Sequence, residues 1–314
     1  FTRVTGSNVS DIDGLLWANG TANLFLINPN GILFGANARL ELGGSFLAST
    51  ANSLRFADGF EFSATAAPTP PLLTISAPIG LQYGSRVGEV RVQGATLQVP
   101  NGQTLALAGG NVSVEGGQLL TLGGRVVLGG ISEAGTVGQN LDGSLSFPNS
   151  IARADIVLTN STLVDVTAGG GGEIEIAARN LNLNAGSNLR AGIGAGLGSP
   201  QAQAGDITIG AVENVTLQNE SSIGNLVASG SFGKGGDVVI NARSLFLSNS
   251  TVSAIILGEG AGGNLTVKAT DSIQLIGTTA AGRSSGLFAQ ANSGSRGDAG
   301  DLSIETRMLI VRDG

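Results

Sequence analysis

A pair of short strands, repeated five times, restricts the fold of this chain more than any other feature. Each copy opens with a glycine, usually continues with an acidic or amide residue, and then alternates apolar and polar side chains over three residues. A second alternating triplet begins seven or eight residues after the first apolar position. The copies begin 27 to 37 residues apart, at Gly172, Gly205, Gly236, Gly263 and Gly300, and their second triplets cover 181–183, 215–217, 245–247, 273–275 and 309–311.

The alternation indicates strands with one face in an apolar core and one face in water. A unit of this size cannot bury its apolar face alone, so neighbouring units must stack. Leucine-rich and WD-type repeats have comparable periods, but their signature residues are missing from the sequence. A β-sandwich would need unequal strands and hairpin turns. The sequence therefore predicts an all-β chain folded as a right-handed parallel β-helix, or β-solenoid.

Composition agrees with many short strands and many turns. Glycine contributes 51 of the 314 residues, roughly twice the usual share. Charged residues make up 12% and apolar residues 41%, so the chain lacks the high charge and low hydrophobicity of disordered proteins. Alternating triplets separated by turns also occur between residues 88 and 130, at 90–92, 97–99, 105–107 and 112–114. We expect ten or so coils, forming a rod on the order of 50 Å long.

Polar residues recur at two positions of the repeat. Asparagine follows the second strand at Asn160, Asn219 and Asn249, where it tolerates left-handed φ and is expected to form an amide ladder from coil to coil. The acidic position holds Glu173, Asp206, Asp237 and Asp301. We interpret these carboxylates as caps on exposed backbone at strand starts rather than as a calcium site, which needs six or more oxygen ligands.

Several function classes are disfavoured by composition. The net charge is −7, the only lysines are Lys234 and Lys268, and the arginines are scattered, so we expect no nucleic-acid partner. The sequence contains no apolar run of about eighteen residues, so it predicts no membrane-spanning helix. Histidine and cysteine are absent from the sequence, which removes the usual general base, the thiol nucleophile and most transition-metal ligands. We predict no catalytic residues, no metal site and no cofactor.

The N-terminal part is predicted to be a distinct, less regular cap. Nine of the thirteen aromatic residues lie within residues 1–83, and large rings fill irregular volumes whereas aliphatic side chains suit regular layers. Residues 66–71 contain three prolines, which predicts a loop.

The turn Asn28-Pro29-Asn30-Gly31 joins two apolar strands in this region. Pro29 sets its own φ near −65°, and Asn30 and Gly31 most readily supply positive φ. With Ile32, the turn resembles the signature of the secretion domain of filamentous-haemagglutinin-like exoproteins, the passengers of two-partner secretion systems. The surrounding residues extend the resemblance, which is dense over 1–83 and looks most like the cyanobacterial branch: 1–6, 43–50, 56–59 and 62–64. The companion Asn-Pro-Asn-Leu motif of some members is not seen.

The resemblance implies a secreted or surface-displayed β-helical exoprotein that acts in adhesion or aggregation. Its expected partner is an outer-membrane two-partner secretion transporter, reached through the periplasm and bound by β-augmentation, and a cell-surface glycan or protein is the expected receptor. We expect a signal peptide and the first strands to precede Phe1. Asn28, Pro29, Asn30, Gly31 and Ile32 are candidates either for contact with the transporter or for a turn that stabilises the cap.

The predicted organisation is the C-terminal part of the secretion domain at 1–83, early β-helix coils at 84–150 and repetitive coils at 151–314. Two other functions stay open at this point. One is a carbohydrate-active enzyme, a polysaccharide lyase or hydrolase with carboxylates or cations converging on adjacent coils. The other is a passive filament that binds glycans.

Overall fold

The computed structural model describes residues 1–65, 77–140 and 142–313. The predicted loop at 66–71 lies outside the described residues. Within them there are 34 strands and no helix. In chain order the strands are β1 (Thr2–Arg3), β2 (Ser10–Ile12), β3 (Leu15–Trp17), β4 (Leu24–Ile27), β5 (Ile32–Phe34), β6 (Arg39–Glu41), β7 (Phe46–Ser49), β8 (Ser53–Phe56), β9 (Glu61–Ser63), β10 (Pro78–Tyr83), β11 (Val90–Gln93), β12 (Thr96–Gln98), β13 (Thr104–Gly109), β14 (Val112–Glu115), β15 (Gln118–Leu120), β16 (Arg125–Gly130), β17 (Gly135–Gln139), β18 (Leu145–Ser146), β19 (Ile156–Thr159), β20 (Leu163–Asp165), β21 (Glu173–Ala178), β22 (Leu181–Leu183), β23 (Asn188–Ile193), β24 (Gly198–Gln203), β25 (Ile207–Ala211), β26 (Asn214–Gln218), β27 (Ser222–Val227), β28 (Phe232–Lys234), β29 (Val238–Ser248), β30 (Thr251–Ile256), β31 (Glu259–Ala261), β32 (Leu265–Ile276), β33 (Gly286–Ala291) and β34 (Leu302–Arg312).

The strands stack in parallel ladders, as the repeat predicts. The first ladder contains β1, β4, β7, β13, β16, β21, β25 and the first halves of β29, β32 and β34. The second contains β2, β5, β11, β14, β19, β22, β26 and the second halves of the same three strands. A third runs through β12, β15, β20, β23, β27, β30 and β33. The chain is a parallel β-helix.

We number the coils one to ten by their first-ladder strands. Both strands of every predicted repeat copy lie in the first and second ladders, and the triplets between 88 and 130 are strands too. The core consists of in-register columns of aliphatic side chains. One column, fully buried through six coils, is Leu105, Val126, Ile174, Ile207, Val238 and Leu265. Each such side chain contributes about 1.5–3 kcal/mol by leaving water.

Two of the four carboxylates at the repeat starts, those of Asp206 and Asp237, cap the backbone of the following coil, as predicted. Asp206 Oδ1 accepts a hydrogen bond from the backbone N–H of Asp237 at 2.7 Å. Asp237 Oδ1 accepts one from the N–H of Asn264 at 2.8 Å, and Asn264 Oδ1 one from the N–H of Asp301 at 2.9 Å. Glu173 differs, because its carboxylate accepts hydrogen bonds from Arg125 Nε and Nη2 at 2.8 and 2.5 Å.

The asparagine corners follow the prediction only in part. Asn160, Asn219 and Asn249 have left-handed φ values of 57°, 53° and 50°. The predicted amide ladder through them is wrong, because Ala185 occupies this corner in coil six with φ 52° and has no side-chain amide. Asn219 Nδ2 donates instead to Asn184 Oδ1 at 2.8 Å, and Asn160 Nδ2 donates to Glu115 Oε1 at 2.9 Å.

Two excursions leave the helix at the same corner, after β7 and after β16. Their strands form an antiparallel flanking sheet in the order β18-β17-β10-β8-β9. This sheet covers the outer face of the first ladder in coils two to five and buries a second apolar cluster. The cluster joins Phe25, Ile27, Leu47, Ala106, Ala108 and Val127 of the ladder to Ala51, Leu54, Phe56, Ala64, Leu81, Tyr83, Ile131, Val137, Leu145 and Ile151.

The flanking sheet explains the sequence of the strands beneath it. β7 and β13 are buried at every residue, whereas β21 alternates buried and more accessible residues. Strands buried on both faces have continuous apolar sequences, so in the first ladder the alternation of burial begins only after coil five. Phe34 and Phe46, by contrast, lie in the helix core.

The tight glycine corners supply a test of coil stacking. A Cβ built on Gly236 would lie 1.9 Å from the carbonyl oxygen of Gly205, whereas a Cβ on Gly210 would meet nothing closer than 3.9 Å. We expect Gly236→Ala to lower the free energy of unfolding by about 3 kcal/mol, because the coils must separate. Gly210→Ala should change it by less than about 1 kcal/mol. Urea unfolding followed by circular dichroism measures both, and equal effects would contradict the stacking geometry.

Candidate functional site

The turn at residues 28–31 is the corner between the first and second ladders in coil two. It connects β4 to β5 and is closed by a hydrogen bond from the Gly31 N–H to the Asn28 carbonyl oxygen at 3.1 Å. Gly31 has φ of 125°, whereas Asn30 is not among the residues with positive φ. Of the two residues expected to supply positive φ, only Gly31 does so.

The Asn28 side chain is fully buried and uses all of its hydrogen-bonding capacity. Its Nδ2 donates to the carbonyl oxygen of Asn8 at 3.0 Å and to Ser10 Oγ at 2.9 Å. Its Oδ1 accepts from the backbone N–H of Asn30 at 3.0 Å and from Asn30 Nδ2 at 3.1 Å. The Asn28 side chain therefore links coil two to coil one and stabilises the turn in which it lies.

The other turn residues divide into buried and accessible positions. Ile32 and Gly31 are buried, Pro29 is half-buried and Asn30 is exposed. Asn30 Nδ2 donates to the Gly6 carbonyl oxygen at 2.8 Å, which adds a second contact to coil one. Only Pro29 and Asn30 of the five predicted residues present much surface to a partner of the folded protein.

Coil three closes on the turn through Gly88, which sequence reasoning missed. The Gly88 N–H donates to the Pro29 carbonyl oxygen at 3.1 Å, and the Ile32 N–H donates to the Glu89 carbonyl oxygen at 2.9 Å. A Cβ on Gly88 would lie 2.5 Å from the Gly31 nitrogen. A signal was available, because residues 88–92 repeat the pattern of glycine, acid and alternating strand.

In coils four to seven, polar side chains at the same corner form a hydrogen-bonded ladder, which the sequence did not predict. Each side-chain oxygen accepts a hydrogen bond from the backbone N–H of the next coil: Asn111 from Asp155 at 3.2 Å, Asp155 from Asn180 at 3.2 Å, and Asn180 from Asn214 at 3.2 Å. Asn180 and Asn214 also donate through Nδ2, at 2.9 and 3.0 Å. The turn at 28–31 is thus part of a corner stack that extends to coil seven.

Arg179 reinforces this ladder electrostatically. Its Nε and Nη2 donate to the two oxygens of Asp155 at 2.8 and 2.6 Å. The hydrogen bonds from Arg179 hold the pKa of Asp155 below its ordinary value. The ionised carboxylate is therefore the form that stabilises the corner.

The N-terminal strand is tied to the flanking sheet near the turn. Arg3 Nη1 donates to the Ser63 carbonyl oxygen at 2.7 Å, and its guanidinium carbon lies 4.5 Å from the Phe62 ring centre. Phe1 packs against Phe25 with ring centres 5.0 Å apart and ring planes tilted by 43°. Coil one is thus held both through the corner stack and through the flanking sheet.

A family model described as the TPS secretion domain matches residues 1–176, more than half of the chain. The chain belongs to the two-partner secretion family. The passenger's matched region contains the turn, coils one to five and every strand of the flanking sheet. Comparison with curated proteins found no match.

Membership makes the passenger a secreted exoprotein whose partner in export is a two-partner secretion transporter. No helix able to cross a bilayer occurs among the described residues. In the same part of the chain, no three His, Cys, Asp or Glu side chains converge as a metal-binding group. Of the acidic residues singled out in the sequence, Asp206 and Asp237 cap backbone N–H groups and Glu173 forms an ion pair with Arg125.

Substitutions at the turn separate the buried from the exposed asparagine. Asn28→Asp replaces two donated hydrogen bonds by repulsion between a buried carboxylate and the Asn8 carbonyl oxygen, so we expect a loss of about 3 kcal/mol in unfolding free energy. Asn30→Asp is the matched control at an exposed position and should cost less than about 1 kcal/mol. Urea titration of both variants is the measurement. A smaller effect at Asn28 than at Asn30 would refute this account of the turn.

The Asp155–Arg179 pair predicts a pH dependence with a definite sign. The pKa of Asp155 is lower in the folded protein than in the unfolded chain. Its contribution to stability is therefore present above the unfolded-state pKa of about 3.9 and is lost as the pH falls through the folded-state pKa. Asp155→Asn keeps the oxygen that accepts from Asn180 but removes the charge. At pH 7 we expect the free energy of unfolding of the wild type to exceed that of this variant by less than about 1 kcal/mol. The difference should shrink in urea titrations performed below about pH 4, and a constant difference would exclude the mechanism.

Proposed function

We propose that the passenger is a filamentous-haemagglutinin-like exoprotein of the cyanobacterial type, displayed at the cell surface after passing the periplasm and an outer-membrane transporter. The observation that carries this proposal is the Asn-Pro-Asn-Gly-Ile turn, built into the corner stack of a β-helix within a two-partner secretion domain. The flanking residues of the turn give the resemblance to the cyanobacterial branch. The predicted division at 83 and 150 stays a prediction, and the flanking sheet joins strands on both sides of position 83.

The proposed role of the exposed shaft is adhesion or aggregation, through a glycan or protein receptor and without catalysis. The shaft in coils six to nine supports this role because the outward residues of its first-ladder strands are mostly polar or small and are not covered by the flanking sheet. A repeated surface offers many equivalent contacts, which raises avidity without requiring a strong single site. Deleting residues 205–299 from the full-length protein, from one repeat start to just before another, keeps the matched region 1–176 whole. This deletion should abolish cell aggregation but leave export intact. Unchanged aggregation of the producing cells would contradict the role of the shaft.

We propose further that the 28–32 turn acts on export by stabilising the first three coils rather than by direct contact with the transporter. Burial of Asn28, Gly31 and Ile32 and the saturated hydrogen bonds of Asn28 support this choice. A folded coil outside the cell cannot slide back, so a turn that stabilises early coils favours outward movement.

Export of the full-length protein by its own transporter tests this proposal. Asn28→Asp should reduce the amount in the medium several-fold, in step with its lower stability, whereas Asn30→Ala should be exported like the wild type. Gly14→Ala is a neutral control, because a Cβ there meets nothing within 4 Å. If Asn30→Ala blocks export while its urea midpoint is unchanged, direct recognition by the transporter replaces the stabilising role.

A further inference from the structure

Three Asn-Gly dipeptides occur in the sequence, at Asn19-Gly20, Asn30-Gly31 and Asn101-Gly102. Such dipeptides are chemically labile, because glycine has no side chain to hinder its backbone nitrogen from attacking the preceding side-chain amide. The reaction requires this nitrogen to lie beside the asparagine Cγ in a near-attack geometry. The structure places the three nitrogens in different environments.

At Asn19-Gly20 the attacking nitrogen lies next to its target. The Gly20 N–H contacts Asn19 Oδ1 at 2.9 Å, and both residues are exposed. This contact is to the reacting amide itself, and no backbone carbonyl oxygen in the described part of the chain holds the Gly20 N–H. Water has free access to the pair.

The other two dipeptides are held away from reaction. The Gly31 N–H donates to the Asn28 carbonyl oxygen at 3.1 Å, and Asn30 Nδ2 is engaged by Gly6 and Asn28. The Gly102 N–H donates to the Leu122 carbonyl oxygen at 2.9 Å. Attack by either nitrogen would first require these backbone hydrogen bonds to break.

We propose that Asn19 is a site of spontaneous deamidation in the folded protein. The Gly20 nitrogen loses its proton and forms a bond to Asn19 Cγ, and the bond from Cγ to Nδ2 breaks, releasing ammonia and leaving a succinimide. Water then opens the ring to aspartate or isoaspartate. The reaction needs no oxidant, reductant or enzyme.

The modification has a structural consequence for coil one. The Gly20 carbonyl oxygen lies so close to Gly43 that a Cβ on Gly43 would be 2.1 Å from it. Isoaspartate lengthens the main chain by one carbon directly before this contact. The corner between coils one and two must then shift, and coil one becomes more open to proteolysis.

Incubation of the 314-residue protein at mildly alkaline pH, below its unfolding transition, tests the proposal by peptide mapping with mass spectrometry. Residue 19 should convert roughly 10- to 100-fold faster than residues 30 and 101, the range expected from a misplaced nucleophile. In concentrated urea the three rates should converge, because the protecting hydrogen bonds are lost. Conversion of residue 30 or 101 as fast as residue 19 in the folded protein would overturn the proposal, as would an unmodified Asn19.

Asn19→Gln is the matched control, because its longer side chain keeps the amide but disfavours ring closure. Ammonia release and isoaspartate formation by the folded protein should fall to the level contributed by the remaining asparagines. Release unchanged from the wild type would place the reactive amide elsewhere and reject Asn19.

Discussion

Close approach of backbone to backbone at the coil corners is the constraint on which the rest of the structure depends. In-register parallel coils lie about 4.8 Å apart, and at the repeat starts the carbonyl oxygen of one coil occupies the place of a Cβ in the next. The imagined Cβ atoms on Gly236, Gly263 and Gly300 fall 1.8–2.1 Å from the preceding glycine carbonyl oxygen. Glycine at these corners lets adjacent coils approach closely enough for their aliphatic side chains to pack. The core therefore depends on the glycine corners as well as on the hydrophobic effect.

The same constraint makes the secretion signature part of the helix. Gly88 packs against the turn at 28–31 in the same way as Gly236 packs against Gly205. Neither contact leaves room for a side chain between the coils. Asn28 adds four hydrogen bonds that close the turn and bind coil one. The turn that the sequence offers as a candidate for transporter contact therefore holds coil one to coil two, as the proposed stabilising role requires.

The flanking sheet adds a second level of organisation to the first five coils. It buries the outer face of the first ladder, so β7 and β13 lose the alternation that marks later coils. Seven of the nine N-terminal aromatics lie in or against the two apolar clusters, whereas Phe1 and Trp17 are exposed. Beyond coil five the flanking sheet no longer covers the first ladder, and the outward residues of that ladder are mostly polar or small, which distinguishes the shaft from coils two to five.

The sequence by itself determined the all-β class, the stacking of coils, the strand pairs of the repeats and the position of the turn, because alternation, glycine spacing and turn chemistry are local properties. Only the tertiary structure decided which distant residues contact each other across coils and between the helix and the flanking sheet. The pairing of β10 with β17, the contact of Gly88 with Gly31 and the Asn111–Asp155–Asn180 ladder join residues distant in the chain. The excursions vary the number of residues per coil, and Ala185 lies between Asn160 and Asn219 in the column that was expected to form an amide ladder. Their partners are therefore fixed by the register of the folded helix, which no local pattern encodes.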